Sequence, residues 1–533
     1  MKWFRKWISS KPGFPTLSED LPFADNEGGD ELTSDIEQNE KILKEIFKDC
    51  SDVVYRKIRV SGQVQWLIVY LASLVDEQSF NDHVLKPLIT DRSMDDDFIP
   101  NRIEVLDDRL ISIGEINMSS RITEIVRHVL MGYAAVLAAE NNCAVIVAVN
   151  GRAQRSLEEP SSEPVIRGPR EGFIENISTN MGLIRSRIKS SRLKMESITL
   201  GELSQTQIVI TYIHGIAADS VVEEVRQRLT RIQVDGVLES GYIEGFIEDF
   251  PYSPFPQVHT TERPDVAVAG ILEGKVAILV DTTPFVLIVP MTFWAGMQAS
   301  EDYYIRWPVA TFVRWIRFVF IFIAIFAPPL YVAITTFHQE MIPTNLVLSI
   351  ASTREPVPFP AMVEALLMEI VFEALREAGI RLPKQIGQAI SIVGALVIGQ
   401  AAVQAGIISA PVVIVVSITG IAAFTVPRFS VANGIRLLRF PVLFLAGMLG
   451  LYGIVLGFLA ILLHLTSLRS FGLPYFTPIA PLSFKHLRDV WIRAPIWNNT
   501  QSPLTARTDD KAHVPKGQKP SPSQGKQPSS KKD

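Results

Sequence analysis

Cysteine is nearly absent from this sequence: only Cys50 and Cys143 occur among 533 residues. Two thiols so far apart in the chain cannot build a disulfide framework, and they match no metal-site spacing. The sequence therefore does not belong to the class of small disulfide-rich secreted domains. The two thiols indicate a reduced compartment or simple burial.

Catalytic motifs are missing as well. There is no Gly-x-Ser-x-Gly elbow for a nucleophilic serine, no Gly-rich phosphate loop ending in Gly-Lys-Ser/Thr, and no His-Glu-x-x-His zinc motif. His338-Gln339-Glu340 matches half of the zinc deaminase signature, but the Pro-Cys-x-x-Cys half is absent. We therefore expect that the protein is not an enzyme and that it holds no metal and no cofactor.

No charge of one sign prevails, because 51 Lys and Arg face 56 Asp and Glu, for a formal net charge of -5. A chain so close to neutral is not expected to have nucleic acid as its main partner. The N-terminal MKWFRKWISSKPG lacks the continuous apolar core of a secretory signal.

Nearly all long uncharged runs lie after Val313, and the first half of the chain mixes charged and apolar residues. This division predicts a soluble N-terminal region followed by a helical membrane domain. The expected parts are a disordered segment 1–33, a soluble subdomain 34–150, a second soluble subdomain 151–300, a membrane domain 301–470 of about four to six helical segments, a membrane-proximal segment 471–499 and a disordered tail 500–533.

Helical and β patterns alternate through the soluble region, which predicts an α+β region made of two small α/β subdomains. VVYRKIRV and QVQWLIVYLASLV are strand candidates in the first subdomain, and LKMESITLG and QTQIVITYI are strand candidates in the second. EGKVAILVDTTPFVLIVP is expected to be a β-hairpin with its turn at Asp281-Thr282-Thr283-Pro284. Prolines and an aspartate in this run disfavour a membrane span.

The membrane domain is organised around residues 385–427, which contain no charged residue and no histidine. Two membrane helices meeting near Ser409-Ala410-Pro411 are expected here. The first of these helices, residues 386–408, carries small residues on one side, where another helix can approach closely, and amides on the other. We expect helix packing at Gly387, Gly394, Gly399 and Gly406.

An earlier span is predicted from Val313 to about Thr335, kinked at Pro328-Pro329. The helix that follows at residues 360–379 is acidic on one arc. It either lies along the membrane interface or crosses the membrane with its acidic arc toward water. The polar groups of both helices are either packing contacts or pore lining. The residues considered as pore candidates are Glu369, Glu373, Gln388, Ser391, Ala395, Gln400 and Gln404.

Membrane topology stays open at this level. Arginines at the start of the first span and basic residues after it at the C-terminal end both favour the inner side, which requires an even number of crossings. Basic residues at both ends of segment 385–427 favour the same side, which requires an odd number.

The segment TERPD places Glu262, Arg263 and Asp265 around a proline. Such a rigid charged loop is expected either to bridge subunits through charge-assisted hydrogen bonds or to hold a local salt bridge.

Several strings closely resemble the A subunits of GerA-type spore germinant receptors. They are RGPREGFIENI, PFPQVHTTERPD, EGKVAILVDTTPFVLIVP, EDYYIR, REPVPFP and REAGIRLPKQIGQAISIVGALVIGQAAVQAGIIS. The resemblance runs from about Ser34 to Pro495. It departs from the family at Thr282-Thr283, where a turn glycine is more usual.

The resemblance implies a multi-pass protein of the inner membrane of a dormant spore, with its N-terminal region in the cytoplasm. It also implies a transporter-like B subunit that binds the nutrient, a lipoprotein C subunit, and assembly of A subunits, as pentamers, into a nutrient-gated ion channel. The competing hypotheses are a self-contained transporter or permease, against which no inverted repeat is found between the membrane halves, and a non-conducting scaffold.

Overall fold

The computed structural model describes residues 30–60, 63–86, 88, 116–149, 151, 159–160, 162–381 and 399–498. The predictions made for residues 1–29 and 499–533 lie outside these ranges, and so does most of the predicted helix 386–408.

The first subdomain is one five-stranded antiparallel sheet in the order β1-β2-β4-β5-β3. Alternate residues of β2 enter two different cores: Leu67 and Val69 face one, and Trp66 and Ile68 face the other. A strand covered on both faces is apolar throughout, which explains the run QWLIVYL. The elements are α1 Ile36–Ile46, β1 Val53–Val60, β2 Gln63–Leu71, α2 Glu77–Phe80 continuing as a π-helix Asn81–Leu85, β3 Ile116–Ser119, α3 Ile122–Val129, β4 Ala134–Ala138 and β5 Ala144–Val147.

The second subdomain repeats this architecture. Its strands are ordered β6-β7-β9-β10-β8, which is the same order counted from the first strand of each sheet. In both subdomains a helix precedes the first strand and another joins the third strand to the fourth. The elements are α4 Ile177–Arg187, β6 Leu193–Leu200, β7 Thr206–Ile213, α5 Asp219–Thr230, α6 Ser240–Ile247, β8 His259–Thr261, α7 Pro264–Leu272, β9 Val276–Val280 and β10 Val286–Val289.

The expected β-hairpin is confirmed as β9 and β10, whose antiparallel register places Leu287 opposite Ile278. Its turn contains Thr282 at φ 70°, in the left-handed region that favours glycine. The amide of Thr282 donates to the carbonyl oxygen of Glu175 at 2.8 Å, which holds the turn against the segment before α4.

The two subdomains are joined by a buried ion pair. Arg185 on α4 donates through Nε and Nη2 to the two carboxylate oxygens of Asp52, at 3.0 and 2.8 Å. Beside this pair, the amide of Ser51 donates to the carbonyl of Met195, and the amide of Met195 donates to that of Asp49. Both charged side chains are almost fully buried.

The second half of the chain is helical. The helices α9, α12 and α13 pack together, α14 packs on α13, and α11 contacts α9, α12 and α13. The elements are α8 Phe293–Gly296, α9 Trp307–Phe337, α10 Thr344–Arg354, α11 Ala361–Arg381, α12 Ala410–Ala423, α13 Phe429–Leu449, α14 Leu451–Ser467, β11 Arg469–Ser470, β12 Leu473–Pro474 and α15 Phe484–Trp491, with 3-10 turns at Ser300–Tyr303, Gln339–Met341 and Ile496–Asn498.

Helix boundaries follow proline and glycine. The helix α9 continues through Pro328-Pro329 as a single element, so these prolines do not end it. Pro411 lies in the first turn of α12, as expected for a residue without an amide hydrogen. Gly450 has φ 62° and separates α13 from α14 within the apolar block. Among the described residues, α9 and α13 are long and apolar enough to cross a membrane, and α12 and α14 are shorter apolar helices.

Candidate functional site

Two oppositely charged side chains meet inside the helical half. Arg439 on α13 donates through Nη1 to the carboxylate of Glu369 on α11, and both side chains are only 3% exposed. The expectation that the acidic arc of α11 faces water is therefore wrong at Glu369. A carboxylate in an apolar surrounding costs several kcal/mol unless a cation accompanies it, which explains the partner.

Arg439 has a second role that proline creates. Its Nε donates to the carbonyl oxygen of Ala324 on α9 at 2.7 Å. In a regular helix that carbonyl accepts from the amide four residues later, but Pro328 has no amide hydrogen. Arg439 therefore satisfies the carbonyl that Pro328 leaves free, which links α9, α11 and α13 through one guanidinium.

This cluster is incompletely satisfied. Glu373 on α11 accepts from Arg436 Nη2 at 2.6 Å, and its side chain is 37% exposed. Several buried atoms nearby on α11 and α13 have no hydrogen-bond partner among the described residues, namely Glu369 Oε1, Arg439 Nη2, Arg436 Nε and Nη1, and Asn433 Oδ1. Buried polar atoms without a hydrogen bond are places where a bound water or a rearranged side chain would supply the missing bond.

A second buried carboxylate joins the start of α12 to α10. Glu364, fully buried on α11, accepts from the amide of Ser409 at 3.0 Å and from its hydroxyl at 2.7 Å. Its other oxygen accepts from Arg354 Nε at 3.2 Å. A negative charge at a helix N-terminus is stabilised by the helix dipole, so Glu364 fixes the start of α12.

Ion pairs also form where the soluble region meets the helices. Asp302, in the turn before α9, accepts from Arg314 Nε at 3.2 Å and from Arg317 Nη1 at 3.0 Å. Arg314 also contacts Asp489 on α15, at 3.6 Å between Nη1 and Oδ1. Both arginines are buried in the protein, where Asp302 supplies the opposite charge.

A further contact crosses between the second subdomain and α13. Arg428, the residue before α13, donates to Glu163, and the other carboxylate oxygen of Glu163 accepts from the Thr261 hydroxyl at 2.8 Å. Thr261 ends β8. The edge of the second sheet is thus connected to the N-terminus of a long apolar helix through one glutamate.

The TERPD residues make their bonds within the chain. Arg263, which has no exposed surface, donates through Nε and Nη2 to Asp265 at 3.1 and 2.8 Å, and Tyr304 donates to the same carboxylate at 2.6 Å. Glu262 accepts from the amide of Ser162 at 3.3 Å. The structure thus contains the local salt bridge, and the bridge between subunits stays a prediction.

The candidates of helix 386–408 are only partly described. Gln388, Ser391 and Ala395 and the packing residues Gly387 and Gly394 lie outside the described residues. Gln400 and Gln404 are exposed on the helical residues 399–404.

The two described glycines of that segment have different surroundings. A side chain at Gly399 would touch Val413 of α12 at 3.4 Å, so a close contact forms there. Gly406 follows the helix at φ 65°, and the amide of Ile407 donates to the carbonyl of Ala402 at 3.0 Å. This is a Schellman C-cap, so Gly406 ends the helix. A side chain at Gly406 would meet the carbonyl oxygen of Pro356 at 3.3 Å, so another segment approaches this glycine closely as well.

The sequence indicated only one member of each of these ion pairs. Acidic residues on α11 were visible as an arc, but their partners are far along the chain: Arg439 follows Glu369 by 70 residues. Asp302 and Glu163 carried no signal, because each lies in a turn-rich segment where acidic residues are common. Arginines at helix ends were visible and were interpreted as topology signals.

Among the described residues, no group of three or more His, Cys, Asp or Glu side chains is placed to hold a metal ion. Each pair joins opposite charges on different elements, so a movement of one element changes the contacts of the other.

The fold and these pairs define a class of protein: a duplicated α+β region fastened by buried ion pairs to a bundle of apolar helices with two candidate membrane spans. The family model described as Bacillus/Clostridium GerA spore germination protein matches residues 41–505. The chain belongs to this family, and the family together with the apolar helices indicates association with a membrane.

Among its relatives, the uncharacterized membrane protein YfkQ of Bacillus subtilis (strain 168) is 47% identical over 89% of this chain and 92% of its own length. Spore germination protein KA of the same organism is 44% identical, over 89% of this chain and 87% of its length. Spore germination protein A1, also from that organism, is 41% identical over 89% and 97%.

A crystal structure of the N-terminal domain of the A subunit of the Bacillus megaterium spore germinant receptor GerK3 was also found. It has 34% sequence identity and a TM-score of 0.40, over 49% of this chain and 97% of that chain.

Proposed function

We propose that this protein is the A subunit of a nutrient receptor in the inner membrane of a bacterial spore, and that it converts nutrient binding on a partner into membrane permeability. Membership of the GerA family supports the role in germination. The observation that carries the mechanism is the set of contacts between the soluble region and the helical half, above all the ion pair of Arg428 with Glu163 and the hydrogen bond from Tyr304 to Asp265.

These contacts give a physical route for coupling. A displacement of the edge strand β8 moves Thr261, which is bonded to Glu163. Glu163 is bonded to Arg428, so the displacement also acts on the N-terminus of α13. Eleven residues later on α13, Arg439 holds both α11 and α9. A rotation of α13 would therefore change the contacts of Arg428 and of Arg439 at the same time. The buried atoms of Arg436 that lack a hydrogen bond could then take part in new contacts.

The proposed complex contains three kinds of subunit. A transporter-like B subunit binds the nutrient, a lipoprotein C subunit accompanies it, and several A subunits, five in the expected form, surround an ion-conducting pore. The N-terminal region lies in the cytoplasm. Helix 386–408 lines the pore with Gln388, Ser391, Ala395, Gln400 and Gln404, and the partly exposed Glu373 lies before its entrance.

Deletion of the gene tests the receptor role. Spores without it are expected to lose germination in response to one set of nutrients and to keep their response to others and to non-nutrient triggers. A full response to every nutrient tested singly and in combination contradicts the proposal.

Conduction needs a separate test, because a scaffold also abolishes germination when deleted. The purified receptor complex, reconstituted in a planar bilayer, is expected to give nutrient-dependent single-channel currents. Single cysteines between residues 388 and 404 should react with a water-soluble thiol reagent with helical periodicity, and only when nutrient is present. Absence of currents in a complex that still binds nutrient favours the scaffold, and saturable solute uptake by this protein alone favours the transporter.

A further inference from the structure

Four aromatic side chains of the second subdomain lie exposed within eleven residues of one another. They belong to α6 and to the loop after it: Tyr242, Phe246, Phe250 and Tyr252, with exposed fractions of 49%, 50%, 46% and 90%. On the same helix Ile243 and Ile247 are buried in the core of the subdomain. The helix thus packs its apolar side against its own core, and the four aromatic side chains of the helix and the following loop form a largely exposed aromatic face.

This aromatic face adjoins the end of a membrane-domain helix. The Phe250 ring lies 6.0 Å from the ring of His464, in the last turn of α14, and 6.4 Å from the ring of Tyr252. Ser253 Oγ and His464 Nε2 are 2.9 Å apart. A side chain at Gly434, in the second turn of α13, would meet the carbonyl oxygen of Pro254 at 2.4 Å. The loop therefore rests on the ends of two apolar helices.

The surroundings match a membrane surface. On α14, one residue before His464, Leu463 is 68% exposed, as for a side chain facing lipid. A cleft of about 730 Å³ separates α5 from the residues after α14, and the exposed Arg469 lines it together with Phe250. Tyrosine and other amphipathic rings, with a neighbouring arginine, are the side chains found at the level of lipid headgroups.

We propose that the aromatic face of α6 and its following loop rests in the headgroup layer of the bilayer that holds α13 and α14. We infer that lipid, and not another protein, covers this face, because Phe250 contacts α14, a helix whose outer surface is apolar and exposed. Clusters of exposed aromatic side chains mark surfaces that bind a partner or a membrane. The inference rests on the membrane location in the proposed function and is independent of channel activity.

The test uses the full-length protein in liposomes with an environment-sensitive fluorophore on single cysteines. The parent variant Cys143→Ser removes the partly exposed thiol, and the buried Cys50 is checked for absence of labelling. Labels are placed by Phe246→Cys and Tyr252→Cys. Leu463→Cys on α14 serves as the lipid-facing control, and Met118→Cys, 44% exposed on β3 of the first subdomain, serves as the water-facing control.

Lipids with a nitroxide near the headgroup are expected to lower the fluorescence about twofold at Phe246 and Tyr252 and to leave Met118 unchanged. Quenching at these two positions by aqueous iodide, with none by lipid, shows that the face is in water and overturns the proposal. Protection from both quenchers shows that protein covers the face, either a second copy or another subunit, and overturns it equally. Absence of quenching at Leu463 by the same headgroup-labelled lipids would instead contradict the membrane location itself.

Discussion

Two buried ion pairs, one in the soluble region and one among the helices, differ in how completely they are satisfied. At the contact between subdomains, Arg185 uses Nε and Nη2 on Asp52 and Nη1 on the carbonyls of Leu193 and Ser190. Among the helices, Glu369 and Arg439 share a single hydrogen bond, and each keeps one buried atom without a partner among the described residues.

The difference indicates different tasks. A pair with every donor and acceptor satisfied has one arrangement of low free energy, so Asp52 and Arg185 fix the two subdomains relative to each other. The pKa of Arg185 is also raised: burial opposes its charge, and the attraction and hydrogen bonds of Asp52 and Cys50 together outweigh burial. A pair with unused atoms has alternatives of similar free energy, which suits an element that changes conformation.

The largest expected effect comes from breaking the satisfied pair. Arg185→Ala leaves Asp52 buried without a cation, and we expect a loss toward the upper end of the roughly 3–5 kcal/mol typical of such changes. Chemical denaturation of the purified protein, followed by tryptophan fluorescence, measures it. The control is Arg187→Ala on the same helix, whose pair with Glu171 is partly exposed, and which should cost no more than about 1 kcal/mol. Equal losses in the two variants would refute this interpretation.

Breaking the pair of Glu369 and Arg439 should lower stability less than breaking the pair of Asp52 and Arg185. Replacing both of its residues by apolar ones should restore stability. Arg439→Met is expected to lower stability toward the lower end of about 3–5 kcal/mol, since Glu369 is left buried and charged. Adding Glu369→Met removes that charge, and adding Pro328→Ala supplies the amide that the Ala324 carbonyl then needs.

Stability in detergent is therefore expected to recover stepwise from the single to the triple variant, measured by the thermal unfolding midpoint. If the double and triple variants are no more stable than Arg439→Met, the pair does not have the replaceable character inferred here. In spores, the triple variant should be stable and defective in germination if the unused polar atoms serve switching.

A third prediction concerns a carboxyl group that has no ion-pair partner in the part of the chain that the structure describes. Burial, with the nearby Glu248 and Glu239, raises the pKa of Glu244 on α6 from 4.5 to about 7. Between these values the folded state keeps a proton that the unfolded state has lost, so the free energy of unfolding falls as the pH rises from 4.5 to 7. Glu244→Gln should remove this fall, on the order of 1–3 kcal/mol, when denaturation is repeated across that range. An unchanged pH profile in the variant would show that Glu244 is not responsible.

The smallest effect is expected at an ion pair near the surface. Its contribution to stability increases with pH, whereas that of Glu244 decreases with pH. Glu40 on α1 is bonded by Lys57 and Lys44, which lower its pKa although burial raises it. The stability from this pair is present above the unfolded pKa of 4.5 and is lost as the pH falls through the lower folded value. Lys44→Ala should cost no more than about 1 kcal/mol at neutral pH and nothing at low pH. A larger cost that persists in acid would contradict the assignment.

Local patterns predicted most elements of the fold. The run VVYRKIRV became β1 over the same residues, and the hairpin of β9 and β10 was placed by its apolar runs and central turn. These elements follow from periodicity and turn chemistry, which act over a few residues. The repetition of strand order between the subdomains was not visible, because it is a property of pairing between distant strands.

The candidate site divides in the same way. Glu369 and Glu373 could be selected because charges inside an apolar segment are costly, yet their exposure was predicted wrongly at Glu369. Whether a charged helix face meets water or an arginine depends on which helix packs there, and nothing within α11 encodes that. Gly406 shows a smaller case: the sequence contains a glycine in an apolar helix, and only the backbone angle reveals a cap.

By itself, the sequence determined that a mixed soluble region precedes apolar helices, where the turn of the β9–β10 hairpin falls, and which family the strings resemble. These depend on composition and short-range sterics. The tertiary structure alone decided that Arg439 serves both Glu369 and the carbonyl freed by Pro328, and that Glu163 connects β8 to α13. Ion pairs act through distances of a few ångströms between residues separated by up to hundreds of positions, and only the packed chain brings them together.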